Sequence, residues 1–346
     1  MTSVRTLRTP AALKDVGVIA PDRIAGLERV AARYAVAVTP TSLQLIDPND
    51  PDDPIARQFI PHEAELDPAP GDLFDPIGDA AHSPVEGIVH RYRDRVLLLP
   101  THTCASYCRF CFRRETVGPG GAGDLSPEAL ERALAYIASR HEIWEVILTG
   151  GDPLILSPRR LGQMMAALKD IGHVKVVRLH SRVPAVDPAR ITPALVIALK
   201  RSGKAVYVAL HANHPRELTL EARAACARLI DAGIPMLSQT VLLRGVNDDP
   251  DTLTQLMRAF VETRIKPYYL HQADLAPGTA HLRTTLAEGR TLLRSLRGAV
   301  SGLCQPTYVL DLPGGHGKVP VGPDYLGEDG AVQDPSGRAH VYPPPD

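Results

Sequence analysis

Nowhere in the 346-residue sequence do about 18 uncharged apolar residues run together, the length a membrane-spanning helix needs. The N-terminal stretch MTSVRTLRTPAALKDVGVIA likewise lacks the unbroken apolar segment of a secretory signal. Both absences point to a soluble, cytoplasmic protein with no membrane partner. Excess charge of one sign is missing too: 38 Lys and Arg against 39 Asp and Glu leave a formal net charge of −1. A balanced chain has no overall attraction for a polyanion, so nucleic acid is not an expected partner. Cysteine is scarce, at five residues. An odd count with three crowded together does not make a disulfide framework, whereas a reducing compartment would keep such thiols free as ligands.

What is present divides the chain unevenly. The segments TPAALKDVGV and PDRIAGLERVAARYAV suit short amphipathic helices, with Leu13, Val16, Leu27, Val30 and Ala31 on their apolar faces. Residues 47–84 are so rich in Pro and Asp that long helices and central strands are excluded there, and a wrapping arm is expected over residues 1–84. From residue 95 short β-branched runs alternate with helical patterns, the runs falling at 95–100, 145–150, 174–181, 205–212, 235–243, 266–272 and 306–312. Ser126 and Pro127 read as an N-cap and first helical position, and Gly233 as a helix stop. Strand followed by helix about six times predicts an α/β protein with a parallel sheet. The nearly continuous apolar runs favour a full or partial barrel of (βα)6 type over residues 85–320, followed by a short tail over 321–346. Chemistry in such a barrel sits at the C-terminal strand ends. Cys104 follows the first run, Gly150 to Asp152 the second, Asp274 the sixth and Asp311 the last.

The stretch THTCASYCRFCFRRE holds Cys104, Cys108 and Cys111 within eight positions. Structural zinc normally takes four ligands, and Cys226 and Cys304 lie in or beside a predicted helix and strand with no second paired motif. Three thiolates on a four-iron cluster leave one iron without a protein ligand, which is what direct binding and reduction of a small molecule requires. Zinc, or thiols with no shared ligand, are the alternatives.

C-x3-C-x2-C after the first strand, with LTGGDPL after the second, resembles the radical S-adenosylmethionine enzymes. LHANHPREL, QTVLLRGVNDD, KPYYLHQADLAPGTAHLRT and SGLCQPTYVLDLPGGHGKVPV resemble the lysine 2,3-aminomutase branch, over about residues 48–328. The resemblance implies an isomerase of radical S-adenosylmethionine barrel type that moves the α-amino group of L-lysine to C3. A saturated nitrogen has no low-lying π orbital to accept a radical, so such a shift needs an aldehyde cofactor beside the radical generator. A 4Fe-4S cluster on the three cysteines and S-adenosylmethionine would be the generator. Gly150 and Gly151 would allow close backbone approach, and Asp152 would accept from the ammonium of the methionine moiety; a lone GGD could equally be a turn ending a strand. His211 and Gln239 touch the same cofactor by resemblance.

The aldehyde would be pyridoxal phosphate on Lys318. DLPGGHGKVP is not a phosphate-binding P-loop, because Val319 follows the lysine where Ser or Thr is required. A lysine in a flexible glycine-rich loop can carry the cofactor and swing aside for substrate. His316 stands where relatives have glycine, and a left-handed backbone would cost histidine little. Arg91, Tyr92 and Arg95 match the cofactor region of the family; read alone, the arginines would be surface charges. Arg113 matches the position that pairs with the substrate carboxylate, with Arg114 behind it read as solvated. Asp274 and Asp311 match the two carboxylates that hold the distal ammonium of lysine, though either alone could cap a loop. A glutamate-like substrate would leave those carboxylates uncompensated.

The resemblance further implies an electron donor such as flavodoxin or ferredoxin, and a homo-oligomer. Longer members bind zinc through a C-terminal cysteine-bearing extension; the residues after Lys318 hold no cysteine, so the resemblance does not carry that zinc over. Two other readings stay open: the same chemistry on another amino acid or in service of translation-factor modification, and a non-catalytic iron-sulfur or zinc module.

Overall fold

The computed structural model describes residues 5–118, 123–327 and 330–343; the extreme ends of the expected arm and tail lie outside these. A nine-stranded sheet holds its strands in chain order: β1 (Ile88–Tyr92), β2 (Arg95–Thr101), β3 (Glu145–Gly150), β4 (Val176–Ser181), β5 (Ala205–His211), β6 (Met236–Leu242), β7 (Ile265–Gln272), β8 (Thr307–Leu312) and β9 (Gly317–Pro320). Strands β2 to β8 pair in parallel, while β1 and β9 are antiparallel edges. The sequence runs recover all the parallel strands but neither edge. Beyond the sheet, β10 (Ala331–Gln333) and β11 (Ala339–Val341) make an antiparallel hairpin in the expected tail. Among the described residues no helix is long and apolar enough to cross a membrane.

Helices between the parallel strands start at caps written in the sequence. Ser126, Ser157, Thr219, Asp249 and Thr285 each accept from a first-turn N–H, and Pro127, Pro158 and Pro250 take the first helical position, where a missing N–H costs nothing. The strands alternate. Val146 and Leu148 of β3, Val177 and Leu179 of β4, and Val208 and Leu210 of β5 face the helices in one apolar core. Their neighbours Ile147, Thr149, Arg178, His180 and His211 face inward and line a cavity. The interior is therefore not the packed core that filled barrels have.

The arm packs Leu13, Leu27, Ile55 and Phe59 into a second apolar cluster that also takes in Val186, and Val30 is buried too, while Val16, expected on that face, is exposed. Residues 47–84 contain only short helical turns, such as Ala56–Phe59 and Glu63–Leu66. Glu65 reaches from this arm to the cysteine loop. Arg109 donates to it through Nε (2.9 Å) and Nη2 (2.5 Å), and Arg114 pairs with it as well. Arg114 also donates to the carbonyl of Gly278 (3.0 Å) and stacks on Tyr34. Arg114 is thus buried rather than solvated. Burial alone would raise the carboxyl of Glu65; the two guanidiniums outweigh it and hold it below its usual range.

Gly150 and Gly151 close the end of β3 against the start of that loop. Gly150 has φ +101°, and a Cβ on Gly151 would lie 2.2 Å from the carbonyl oxygen of Thr103. Gly151→Ala should therefore destabilise the fold by about 1–3 kcal/mol in chemical denaturation, through overpacking against backbone. Gly172→Ala, where nothing lies within 4 Å, is the control and should leave the midpoint nearly unchanged.

Candidate active site

A cavity of about 630 Å³ fills the barrel interior. Its lining runs from Arg95, the first residue of β2, to Cys104, just past that strand's end. The residues given a site role from the sequence all line it: Cys104, Cys108, Cys111, Gly150, Gly151, Asp152, His211, Gln239, Arg91, Tyr92, Arg95, Arg113, Asp274, Asp311 and Lys318.

At the C-terminal end the three cysteines are free thiols. Burial pushes all of them up, Cys111 to about 11. At Cys108 the Arg182 guanidinium offsets part of the rise, its Nη1 lying 3.0 Å from Sγ. The same side chain is fixed by Glu217 (2.6 Å) and Gln58 (2.5 Å), so a buried positive charge stands permanently against the thiol cluster. Among the described residues no three His, Cys, Asp or Glu side chains are grouped to hold a metal ion together. A four-iron cluster asks for something different, one thiolate on each of three irons, and a donor set of three thiols on one loop fits it.

Asp152 already has partners within the fold. Its carboxylate lines the cavity, yet Oδ1 accepts from Leu154 N (3.0 Å) and Ser181 Oγ (2.8 Å), and Oδ2 from Arg182 N (2.7 Å). Both oxygens are spent on tying the glycine turn to the end of β4, which leaves the carboxylate little capacity for a ligand ammonium. The two glycines likewise admit the chain's own Thr101–Thr103 backbone. His211 and Gln239 stand directly across from each other on β5 and β6. Nε2 of His211 and of His180 are buried without a partner, and burial holds both imidazoles neutral, well below their usual pKa. Orphaned polar atoms on a cavity wall are what a bound polar ligand would satisfy.

On the β8–β9 side, Lys318 corrects another expectation. It sits on strand β9, not in a flexible loop, in register with Asp311, which lies within β8 rather than after it. The glycine turn precedes it, with Gly314, Gly315 and Gly317 at positive φ; His316 is not left-handed, so its expected backbone cost does not arise. Lys318 Nζ pairs with Asp311 and lies 3.3 Å from His271 Nδ1, while its backbone N–H donates to Tyr92 Oη (2.7 Å). Arg91 bridges Asp311 (3.4 Å) and Asp79 (3.3 Å), and Arg95 lies over the Tyr92 ring at 3.8 Å. The amine with nearby guanidiniums is a donor set that fits an aldehyde bearing a phosphate. Burial would raise Asp311, but His271 and Lys318 pull it far below the usual carboxylate range. Asp274 has no ion-pair partner among the described residues; burial and then Asp311 push it to about 7. His271 is held neutral by burial and by Lys318, near 4.

Sequence reasoning missed Asp79, Arg182 and His271. Period-two alternation from Tyr269 would have placed His271 inward. Asp79 carried no signal, lying in a segment where Asp is common.

The Radical SAM superfamily model matches residues 98–257, and a lysine-2,3-aminomutase model matches residues 293–333. The L-lysine 2,3-aminomutase of Clostridium subterminale is 45% identical over 87% of this chain and 72% of its own length. That of Acetoanaerobium sticklandii is 42% identical over 92% and 77%. A glutamate 2,3-aminomutase of Clostridioides difficile is 38% identical over 87% and 70%. With the thiol loop, the glycine turn and the lysine strand around one cavity, these likenesses make the chain a member of the lysine 2,3-aminomutase family of radical S-adenosylmethionine enzymes.

Proposed function

We propose that the protein interconverts L-lysine and β-lysine, with a 4Fe-4S cluster on Cys104, Cys108 and Cys111, S-adenosylmethionine beside it, and pyridoxal phosphate on Lys318. The observation that carries this reading is the single cavity onto which the free thiols, Lys318, Arg113, Asp274 and Asp311 all open. When bound, the cluster and S-adenosylmethionine supply hydrogen abstraction at carbon, and pyridoxal phosphate supplies the π system through which nitrogen can migrate.

The chain's own residues bind and orient. Arg113 offers a planar fork to the α-carboxylate, and Asp274 with Asp311 receives the distal ammonium. Arg91 and Arg95 would hold the phosphate, and His211 and Gln239 the nucleoside cofactor. Arg182 keeps a cation at Cys108, which offsets part of the rise that burial imposes on that thiol. A glutamate side chain would bring a further carboxylate to Asp274, which has no ion-pair partner among the described residues, so the lysine reading is favoured over that of the glutamate-named relative. The free thiols support a reducing, cytoplasmic setting. A low-potential donor of flavodoxin or ferredoxin type and a homo-oligomer complete the proposal, both supported by the family resemblance.

Anaerobic incubation with L-lysine, S-adenosylmethionine, pyridoxal phosphate and reductant should give β-lysine by chromatography; its absence with a loaded cluster would sink the reading. Lys318→Ala should lose the visible absorbance of bound pyridoxal phosphate but keep its iron, and Cys108→Ala should do the opposite. Loss of both signals in each variant would mean that the two sites are not separable.

Asp274 sets a pH dependence. An ammonium docks on its ionised form, so lysine affinity measured by calorimetry should fall toward about tenfold per pH unit below about 7, with proton release on binding. Asp274→Asn should weaken binding and flatten that profile; an unchanged profile counts against the assignment. The raised pKa also means that this carboxyl's contribution to stability is fully present below its unfolded value and is lost as pH rises through about 7.

A further inference from the structure

Asp79 comes from the Pro- and Asp-rich arm, yet it holds the one arginine assigned to the substrate carboxylate. Arg113 donates to its Oδ2 through Nε (2.9 Å) and Nη2 (2.7 Å). Its Oδ1 accepts from Arg91 Nη2 (3.3 Å). Arg113 lines the cavity and Asp79 does not, so the carboxylate stands behind the guanidinium. Both side chains are largely buried, at 11% and 18% exposure, where a charge-assisted pair is little screened. No other protein group accepts from the Arg113 guanidinium among the described residues, and Nη1 is left over.

The loop that presents Asp79 is itself fixed. Asp75 accepts from the N–H of Asp79 and of Ala80, each at 2.8 Å, and Ser83 Oγ donates to the Asp79 carbonyl (2.8 Å). A Cβ on Gly78 would lie 2.4 Å from the nitrogen of Gly315, so the loop is seated on the turn that leads to Lys318.

We propose that Asp79 is a positioning residue for carboxylate recognition: by taking the Nε edge of Arg113 it aims the terminal edge into the cavity. This rests on the assignment of Arg113 to the substrate carboxylate. A guanidinium held along one edge has lost its rotamer freedom before the ligand arrives, so less is lost on binding. Asp79 is shared between two arginines and does not cancel their charge, which leaves net attraction for an incoming anion.

The test compares L-lysine with L-lysinamide, which keeps both amines and lacks the carboxylate. Both are titrated calorimetrically into full-length protein loaded with pyridoxal phosphate, with S-adenosylmethionine omitted so that nothing turns over. Asp79→Asn should weaken L-lysine by about tenfold, the worth of one charge-assisted hydrogen bond, and leave L-lysinamide within about twofold. Asp79→Glu, which keeps the charge, should restore most of the affinity. Asp79→Ser removes the charge with a smaller side chain and is read the same way if the Asn variant does not fold. Equal losses for both ligands, or unchanged or tighter L-lysine binding, would overturn the proposal. Arg113→Gln separates it from its premise. If that variant still prefers L-lysine over L-lysinamide, the Arg113 assignment fails; if the preference vanishes there but survives in Asp79→Asn, only the role of Asp79 fails.

Discussion

Close contact between two stretches of backbone positions the thiol loop. Gly151 lies so near Thr103 that even a methyl group would meet the carbonyl oxygen. The N–H groups of Gly151 and Asp152 donate to the carbonyls of Thr101 (2.7 Å) and Thr103 (2.9 Å). The loop that begins there is gripped again from the arm, where Glu65 collects Arg109 and Arg114. Cys104, Cys108 and Cys111 are thus held between two anchors, one made of peptide groups and the other of buried charge. The first cannot be exchanged for side-chain packing, because only glycine leaves the room.

The other half of the site is organised by alternating charge. Arg113, Asp79, Arg91, Asp311 and Lys318 follow one another with opposite signs at each step. They come from the cysteine loop, the arm, β1, β8 and β9, so elements far apart in sequence are bound in one chain of ion pairs. Such a largely buried chain is screened less than exposed pairs, and it leaves each member with a defined direction.

The barrel was readable in the sequence because its signals are local. Each parallel strand is a short β-branched run, and each connecting helix carries its own cap, as at Ser126 and Pro127. Strands β1 and β9 were not readable for the same reason. They are antiparallel edges whose partners, not their composition, make them strands, and Gly317 and Pro320 weaken any strand signal in β9. At the site, spacing marked the thiols, and likeness to a known family marked the glycine turn and Lys318. The work that Asp152 does within the fold was hidden, because a carboxylate's partners across 30 residues leave no pattern. Asp79 and Arg182 were hidden likewise: each matters through contacts with residues distant in sequence, whereas periodicity reports only which way a side chain points.

Strands β1 and β9 are the two ends of the sheet order and share no ladder bonds. What joins them is the Tyr92 hydroxyl on the Lys318 peptide, with Arg91 reaching Asp311 on β8 beside it. A junction of this kind behaves as a hasp and not a weld. It can part while every rung of the neighbouring β1–β2 and β8–β9 pairs stays intact, so the wall can splay at the very strand that bears Lys318.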